Sequence, residues 1–303
     1  MKEHSKALDD FIAYLRYEKM LASATITAYK KDVMAFLDFF GERPLHAIDR
    51  MVLRNWLAEM EKAGLQRSSM QRKQAAIKSF LQFQHGQGKI TKRFWEQMSA
   101  PRAAKKLPLY LREEQMREIL QQVNRQGFAG TRDAAILELL YGMGLRLQEL
   151  LQLTVRQVDR ANRTVRIRGK GNKERLVPLG KQAQRAIAEY LPQRRQLLDE
   201  LTIAGPEELF LTAKGKPLYP MAVQRMVRKN LYEVAGIYKL HPHIFRHTFA
   251  THLLNNGADI RAVKELLGHE SLATTQKYTH ISMRKLQQTY QLAHPRSEQE
   301  TER

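Results

Sequence analysis

The sequence predicts a mainly α-helical protein of two domains, the second carrying a small β-sheet, and three observations predict it. The chain runs to 303 residues, longer than a typical single domain. Through most of its length apolar residues recur at i, i+3, i+4 and i+7, the period of a helix buried on one face. One segment breaks that rhythm: Thr164-Val165-Arg166-Ile167-Arg168 alternates polar and apolar residues, the period of a strand.

The first hundred residues hold four helical stripes. One runs from about Ser5 through Leu8, Phe11, Ile12 and Leu15. A second starts near Ser23, carries Ile26, Val33, Phe36, Leu37 and Phe40, and stops at Gly41. A third opens at Asp49 with Val52, Leu53, Trp56, Leu57 and Met60, and ends at Gly64. The fourth begins at Ser68 or Ser69, includes Ile77, Phe80 and Leu81, and finishes at Gly86. Each start offers a small polar residue as a helix cap, and the last three end at glycine. These helices define a domain over residues 1–98. Residues 99–108, SAPRAAKKLP, are basic and proline-flanked without apolar periodicity, which predicts a linker.

A second domain follows over 109–303. Helices are expected near 112–124 and 131–142, then a hairpin of 164–168 with 174–179 around the turn Gly169-Lys170-Gly171-Asn172. Helices return at about 181–200, 220–235, 242–256, 259–267, 271–278 and 282–292.

Composition narrows the function. Hydrophobic residues make up 43% of the chain, enough for globular cores. Lys and Arg number 51 against 31 Asp and Glu, a formal charge of +20. A polyanionic partner is implied, nucleic acid being the usual one; a ribosomal or membrane-surface protein has a similar balance. Within residues 156–185 ten Lys and Arg face only Asp159 and Glu174. In the first strand of the hairpin Val165 and Ile167 point to one side, Arg166 and Arg168 to the other. That basic side is either a solvated face or a phosphate-contacting one, and the hairpin residues Arg166, Arg168, Lys173 and Arg175 are candidate DNA contacts. Cysteine is absent, which excludes disulfides, thiolate zinc sites and a cysteine nucleophile. No run of about 18 apolar residues exists to span a membrane. The N-terminus lacks an apolar signal segment, so a cytoplasmic protein is expected.

Five short segments carry candidate chemistry. In Leu240 to Asn256, LHPHIFRHTFATHLLNN, Pro242 suits the first helical position. His243 and Arg246 then share a face one turn apart, beside unpaired backbone N–H groups and the positive end of the helix dipole. Imidazole can move a proton near neutral pH, and guanidinium can grip two phosphate oxygens; surface His and Arg on a structural helix fit the same pattern. In LLGHES, Gly268 ends one helix and Ser271 can cap the next, leaving His269 in the connection. Tyr278 lies in the following helix, where a tyrosine is ordinarily a core or interface residue. In GMGLRLQEL, two glycines precede a helix with Arg146 and Glu149 at i, i+3, which alone reads as a surface ion pair. Lys170 at the hairpin tip alone reads as a solvated turn lysine.

Taken together and in this order, these segments resemble the tyrosine recombinase (phage integrase) family. GLRLQEL is similar to its first arginine box, RGKGNKER to its hairpin lysine, HPHIFRHTFATHLL to its HxxRH box, and LLGHESLATTQKYTH to its closing His-to-Tyr box. The helical N-terminal domain resembles the family's core-binding, SAM-like domain, so the resemblance covers nearly the whole chain. Within the family the compact length and the ending LQQTYQLAHPR are most similar to the bacterial Xer recombinases, which resolve chromosome dimers at cell division; service to a mobile element is the other reading. Gln148 stands where Ser is common in the family, and Phe245 where Leu is common; neither is a reacting group.

The resemblance implies a DNA-breaking-rejoining fold and a catalytic set of Arg146, Lys170, His243, Arg246, His269 and Tyr278. Tyr278 would attack the scissile phosphate, leaving a 3′-phosphotyrosyl link and a free 5′-hydroxyl. Arg146 and Arg246, assisted by His269, would neutralise the phosphoryl oxygens. His243 would take the tyrosine proton, Lys170 would protonate the departing 5′-oxygen, and Glu149 would orient Arg146 or a neighbour. No cofactor and no metal is implied. The implied partners are double-stranded DNA, clamped by the two domains, and three further recombinase copies in a homo- or hetero-tetramer on two DNA sites. A second Xer-type recombinase and a DNA translocase activator are implied alongside, and no membrane. The last helix offers Met283, Leu286, Tyr290 and Leu292 either to a neighbouring subunit or to its own domain. A type IB topoisomerase shares this chemistry, and a DNA-binding regulator with a dead site shares the charge; the complete six-residue set argues against the second.

Overall fold

The computed structural model describes residues 2–97, 110–169, 174–235, 241–268 and 283–297. The expected linker at 99–108 and the expected helix at 271–278 lie outside the described residues. The chain divides into two compact units, Met1–Lys106 and Leu107–Arg303.

In the first unit α1 (Lys2–Ala13) runs into a π-helical turn at Tyr14–Glu18, followed by α2 (Ser23–Phe40), α3 (Arg50–Lys62) and α4 (Arg67–Gly86). The apolar stripes named above are its core: Phe11, Phe36, Phe40, Trp56 and Phe80 are all buried. Phe36 meets Trp56 edge-on at 5.2 Å, and Phe11 meets Phe80 at 5.4 Å, the geometry that ring quadrupoles favour. Among the described residues of this unit one expected cap forms by side chain: the Asp49 carboxylate accepts from the Val52 N–H at 2.8 Å. Ser23 is the first helical residue rather than the cap, and Gln66, not a serine, precedes α4. Asp32, on the buried face of α2, is paired with Arg72 and with Lys73, as a buried carboxylate requires.

The second unit is built around α6 (Gly127–Gly142), in which every residue from Ala134 to Gly142 is buried. A helix covered on all sides is a central one. Packed around it are α5 (Glu113–Gln122), α7 (Leu147–Leu151), α8 (Lys181–Glu200) and α10 (His243–Asn255), with α9 (Pro220–Ala235) against α5 and α7. The helix α11 (Ile260–Leu267) follows α10, and α12 (Met283–Ala293) packs on α10 and α11.

The sheet has three antiparallel strands in the order β1 (Val158–Asp159), β2 (Thr164–Arg168) and β3 (Glu174–Pro178). β1 adds to the expected hairpin; two residues are too short to show a period. In β2 Val165 and Ile167 are buried while Arg166 and Arg168 are exposed, as the alternation requires. Ile167 stands opposite Arg175 and Val165 opposite Val177, so Arg175 shares the inner face of the sheet.

The last helix docks on its own unit. Leu286 and Tyr290 are buried there, whereas Leu292 is exposed. The fit at Tyr290 is close, since a Cβ on Gly180 would lie 2.5 Å from the tyrosine oxygen. Beyond α12, His294 stacks on Tyr290 at 4.8 Å and Arg296 forms an ion pair with buried Glu138 of α6. Among the described residues no helix is long and apolar enough to cross a membrane.

Candidate functional site

The site gathers where α6 gives way to α7, against the C-terminal end of α11. Gly144 lies between α6 and α7 with φ +59°, and a Cβ there would stand 2.6 Å from Phe249 Cδ1 and 2.9 Å from Leu267 Cδ2. The turn can therefore press directly onto α10 and α11 because the residue is glycine. Two residues on, Arg146 is the N-cap of α7 rather than a residue within it, and its backbone N–H donates to Glu149 Oε2 at 2.9 Å. Its guanidinium donates to Glu149 Oε1 at 2.7 Å and to the Gly268 carbonyl at 3.0 Å.

Arg246 enters from the first turns of α10. It is 8% exposed and donates to the carbonyls of Gly144 at 2.8 Å and Leu267 at 2.5 Å. Burial first, and then the neighbouring Arg146 guanidinium, lower its pKa to about 10, which leaves it fully charged at neutral pH.

Arg175 reaches the same place from the inner face of the sheet. Its Nη1 and Nη2 donate to the two Glu149 oxygens at 2.8 and 2.9 Å, and its Nε to the Leu266 carbonyl at 3.1 Å. Sequence patterning grouped it with Arg166 and Arg168 as a DNA contact; the structure turns three of its donors into the protein. Glu149 consequently accepts four hydrogen bonds while its side chain is 5% exposed. Burial alone would raise its pKa, but the bonds and charge of Arg175, and then the backbone and side-chain bonds from Arg146, outweigh it and bring the carboxyl down to about 2.

The end of α11 is what these groups have in common. A helix terminus leaves carbonyls without partners inside the helix, and the dipole makes them negative. Here three consecutive carbonyls, Leu266, Leu267 and Gly268, accept from Arg175, Arg246 and Arg146 respectively. Gly268 closes the helix in the left-handed conformation at φ +62°, the usual αL cap.

His243 is the first residue of α10, exposed, one turn before Arg246. The backbone N–H groups of Ile244 and Phe245, which the sequence left open for an anion, instead donate to the carbonyls of His241 and Pro242. Other words of the same box are structural. Thr248 Oγ1 accepts from the Leu111 N–H at 3.0 Å. His252 bridges Tyr141 Oη and the Leu111 carbonyl, each at 2.8 Å. Because a carbonyl only accepts, His252 Nε2 carries the proton and Nδ1 receives the tyrosine O–H. Lys170, Lys173, His269 and Tyr278 lie outside the described residues; His269 follows Gly268 directly in the chain. The structure thus brings Arg146, Arg246, Glu149 and Arg175 together and leaves Arg166 and Arg168 on the opposite face of the sheet. No sequence signal marks a backbone carbonyl as an acceptor, but the inward turn of Arg175 was readable from its parity with Val177.

Comparison with known proteins gives the family of the chain. Residues 110–285 match the phage integrase family and residues 8–88 match the phage integrase N-terminal SAM-like domain. A protein named tyrosine recombinase XerC from Pelobacter propionicus is 39% identical, the match covering 95% of this chain and 94% of that protein. One of the same name from Chlorobaculum tepidum is 36% identical over 96% of this chain and 94% of that protein. Among solved structures, the XerH site-specific recombinase bound to a palindromic difH substrate in a post-cleavage complex shares the fold, with TM-score 0.70 and 24% identity over 94% of this chain and 83% of that one. The chain belongs to the phage integrase family of tyrosine recombinases, enzymes that cut and rejoin DNA through a covalent phosphotyrosine.

Proposed function

We propose that the arginine cluster at the end of α11 is the phosphoryl-binding half of a recombination site, and that Tyr278 is its nucleophile. The observation carrying this reading is that Arg146 and Arg246 are both lodged on the carbonyls that immediately precede His269, in the segment leading to Tyr278. Tyr278 Oη bonds to the scissile phosphorus as the bond to the 5′-oxygen breaks. Tyrosine has a pKa of ~10 and attacks poorly at neutral pH without a proton acceptor. His243 takes that proton and Lys170 delivers one to the leaving oxygen. Arg146, Arg246 and His269 hold the charge that builds on the non-bridging oxygens. Covalent attachment keeps the free energy of the phosphodiester, so rejoining needs no ATP.

The substrate is double-stranded DNA, met by the basic outer face of the sheet at Arg166 and Arg168 and by Lys173. Four copies, alike or of two kinds, act on two sites in the cytoplasm, with a translocase as the kind of activator a chromosomal task requires. Near full-length similarity to proteins named XerC favours chromosome dimer resolution over a mobile element. Sequencing genomic DNA trapped covalently by the enzyme separates these: one chromosomal locus supports the first, element ends the second. The nucleophile is tested with Tyr278→Phe on a nicked duplex, where DNA binding is retained and no covalent adduct forms. An adduct from that variant would overturn the assignment.

A further inference from the structure

Glu149 sits between two arginines, and that placement raises an electrostatic question. A buried carboxylate paired with Arg146 alone would neutralise the very charge the site needs. With Arg175 taking one bond on each oxygen, two guanidiniums share the carboxylate. With Arg246 lodged on the Gly144 and Leu267 carbonyls, the cluster of three arginines and one carboxylate keeps two positive charges. Those two match the double negative charge of a phosphodiester under attack by tyrosinate. Arg175 also stands on β3, five residues after Lys170 in the chain, and its Nε holds the Leu266 carbonyl three residues before His269.

We propose that Arg175 is a positioning residue for DNA cleavage: it shares Glu149 with Arg146, leaving the Arg146 charge available to the phosphate, and it ties the hairpin strand to the end of α11. This rests on the reading of Arg146 as a phosphate-binding group. Its side chain is 15% exposed and its fork is directed at Glu149, so its effect on DNA is indirect. The depressed pKa of Glu149 accords with the sharing, since the bonds from Arg175 are the largest influence lowering it. Lysine would keep the charge but could not span both oxygens.

The test is single-turnover cleavage of a nicked duplex whose site has been selected by covalent capture from random-sequence DNA, with binding affinity measured over a salt series. Arg175→Gln should slow cleavage by ~10- to 100-fold, the scale of a misplaced catalytic group, with affinity and salt slope unchanged. Arg175→Lys should cleave at an intermediate rate. In the background of Glu149→Gln, adding Arg175→Gln should cost far less than it does in the parent, because the carboxylate it shields is gone. Independent, multiplying effects would overturn the proposal. So would a salt slope reduced by about one unit, the mark of a residue that itself neutralises a phosphate. If Arg175→Gln does not fold, Arg175→Lys decides alone: slowing at unchanged affinity supports the proposal, and a parental rate overturns it. A parent enzyme that forms no adduct would remove the catalytic reading itself and this proposal with it, whereas an active parent with an indifferent Arg175 removes only the latter.

Discussion

Arg246 donates to the carbonyl of Gly144 at 2.8 Å, and Gly144 is a position where a side chain has no room. Its φ of +59° is strained for any other residue, and a Cβ would strike Phe249 and Leu267. Gly144→Ala should therefore destabilise the protein by about 1–3 kcal/mol, the range for overpacking, and slow cleavage by moving the seat of Arg246. Thermal denaturation and single-turnover cleavage together check this; parental values in both would show that the turn yields without cost.

Glu149 predicts a particular acid dependence. Its pKa is about 2 in the fold against an ordinary 4.5, so the folded state binds fewer protons than the unfolded chain. The stabilisation is present above pH 4.5 and is lost as pH falls toward 2. Denaturant melts at stepped pH should show Glu149→Gln flattening the curve in that window, and a curve unchanged there would mean that the carboxylate is not held ionised.

His294 acts in a different window. Burial first, with the adjacent His252 next, lowers its pKa from 6.5 to about 3. The unfolded chain takes up a proton below pH 6.5 that the folded one refuses, so stability falls from there downward. His294→Phe should reduce that slope between about pH 6 and 4, measured by the same melts. An unaltered slope would place the acid sensitivity elsewhere.

The outer face of the sheet is tested by salt. Binding should weaken steeply and linearly in log affinity against log salt, with the slope set by the number of phosphates neutralised. Replacing Arg166 and Arg168 together should flatten the slope by roughly one unit for each phosphate that they neutralise in the parent. An unchanged slope would make the face a merely solvated one.

Lys170 allows a test by chemistry. Lys170→Ala should slow cleavage of ordinary DNA by roughly 100-fold or more, the scale of general acid catalysis. A substrate with sulfur at the bridging 5′ position leaves as thiolate without a proton, so the variant should cleave it almost as fast as the parent. Arg146→Ala should gain no such rescue, because in the proposed mechanism its charge serves the non-bridging oxygens. Equal rescue of both, or of neither, would make Lys170 a DNA-positioning residue.

Much of this was legible in the chain. The stripe of Phe36, Leu37 and Phe40 and the alternation of Val165 and Ile167 with Arg166 and Arg168 match their burial. Other features escaped because their signal is weak or absent. Two residues of β1 carry no period, and Ala22 and Gln66 are not capping residues by type. Arg146 and Glu149 were readable as a pair, but not the second arginine on the same carboxylate, since that bond joins residues 26 positions apart. The order of His269 and Tyr278 in the sequence speaks for their roles, while their geometry lies outside the described residues.

The three carbonyls at the end of α11 have a consequence for how this site tolerates change. Leu266, Leu267 and Gly268 receive the arginines through their main chain, and no side-chain substitution can delete a carbonyl oxygen. Exchanging the two leucines for other apolar residues keeps every acceptor in existence and alters only where the helix end rests. Sequence drift at those positions is therefore converted into small displacements shared by all three guanidiniums, not into the loss of one. The cluster is insured against single substitutions among its acceptors and exposed instead to whatever shifts α11 as a body, including the packing of Leu266 and Leu267 in the core.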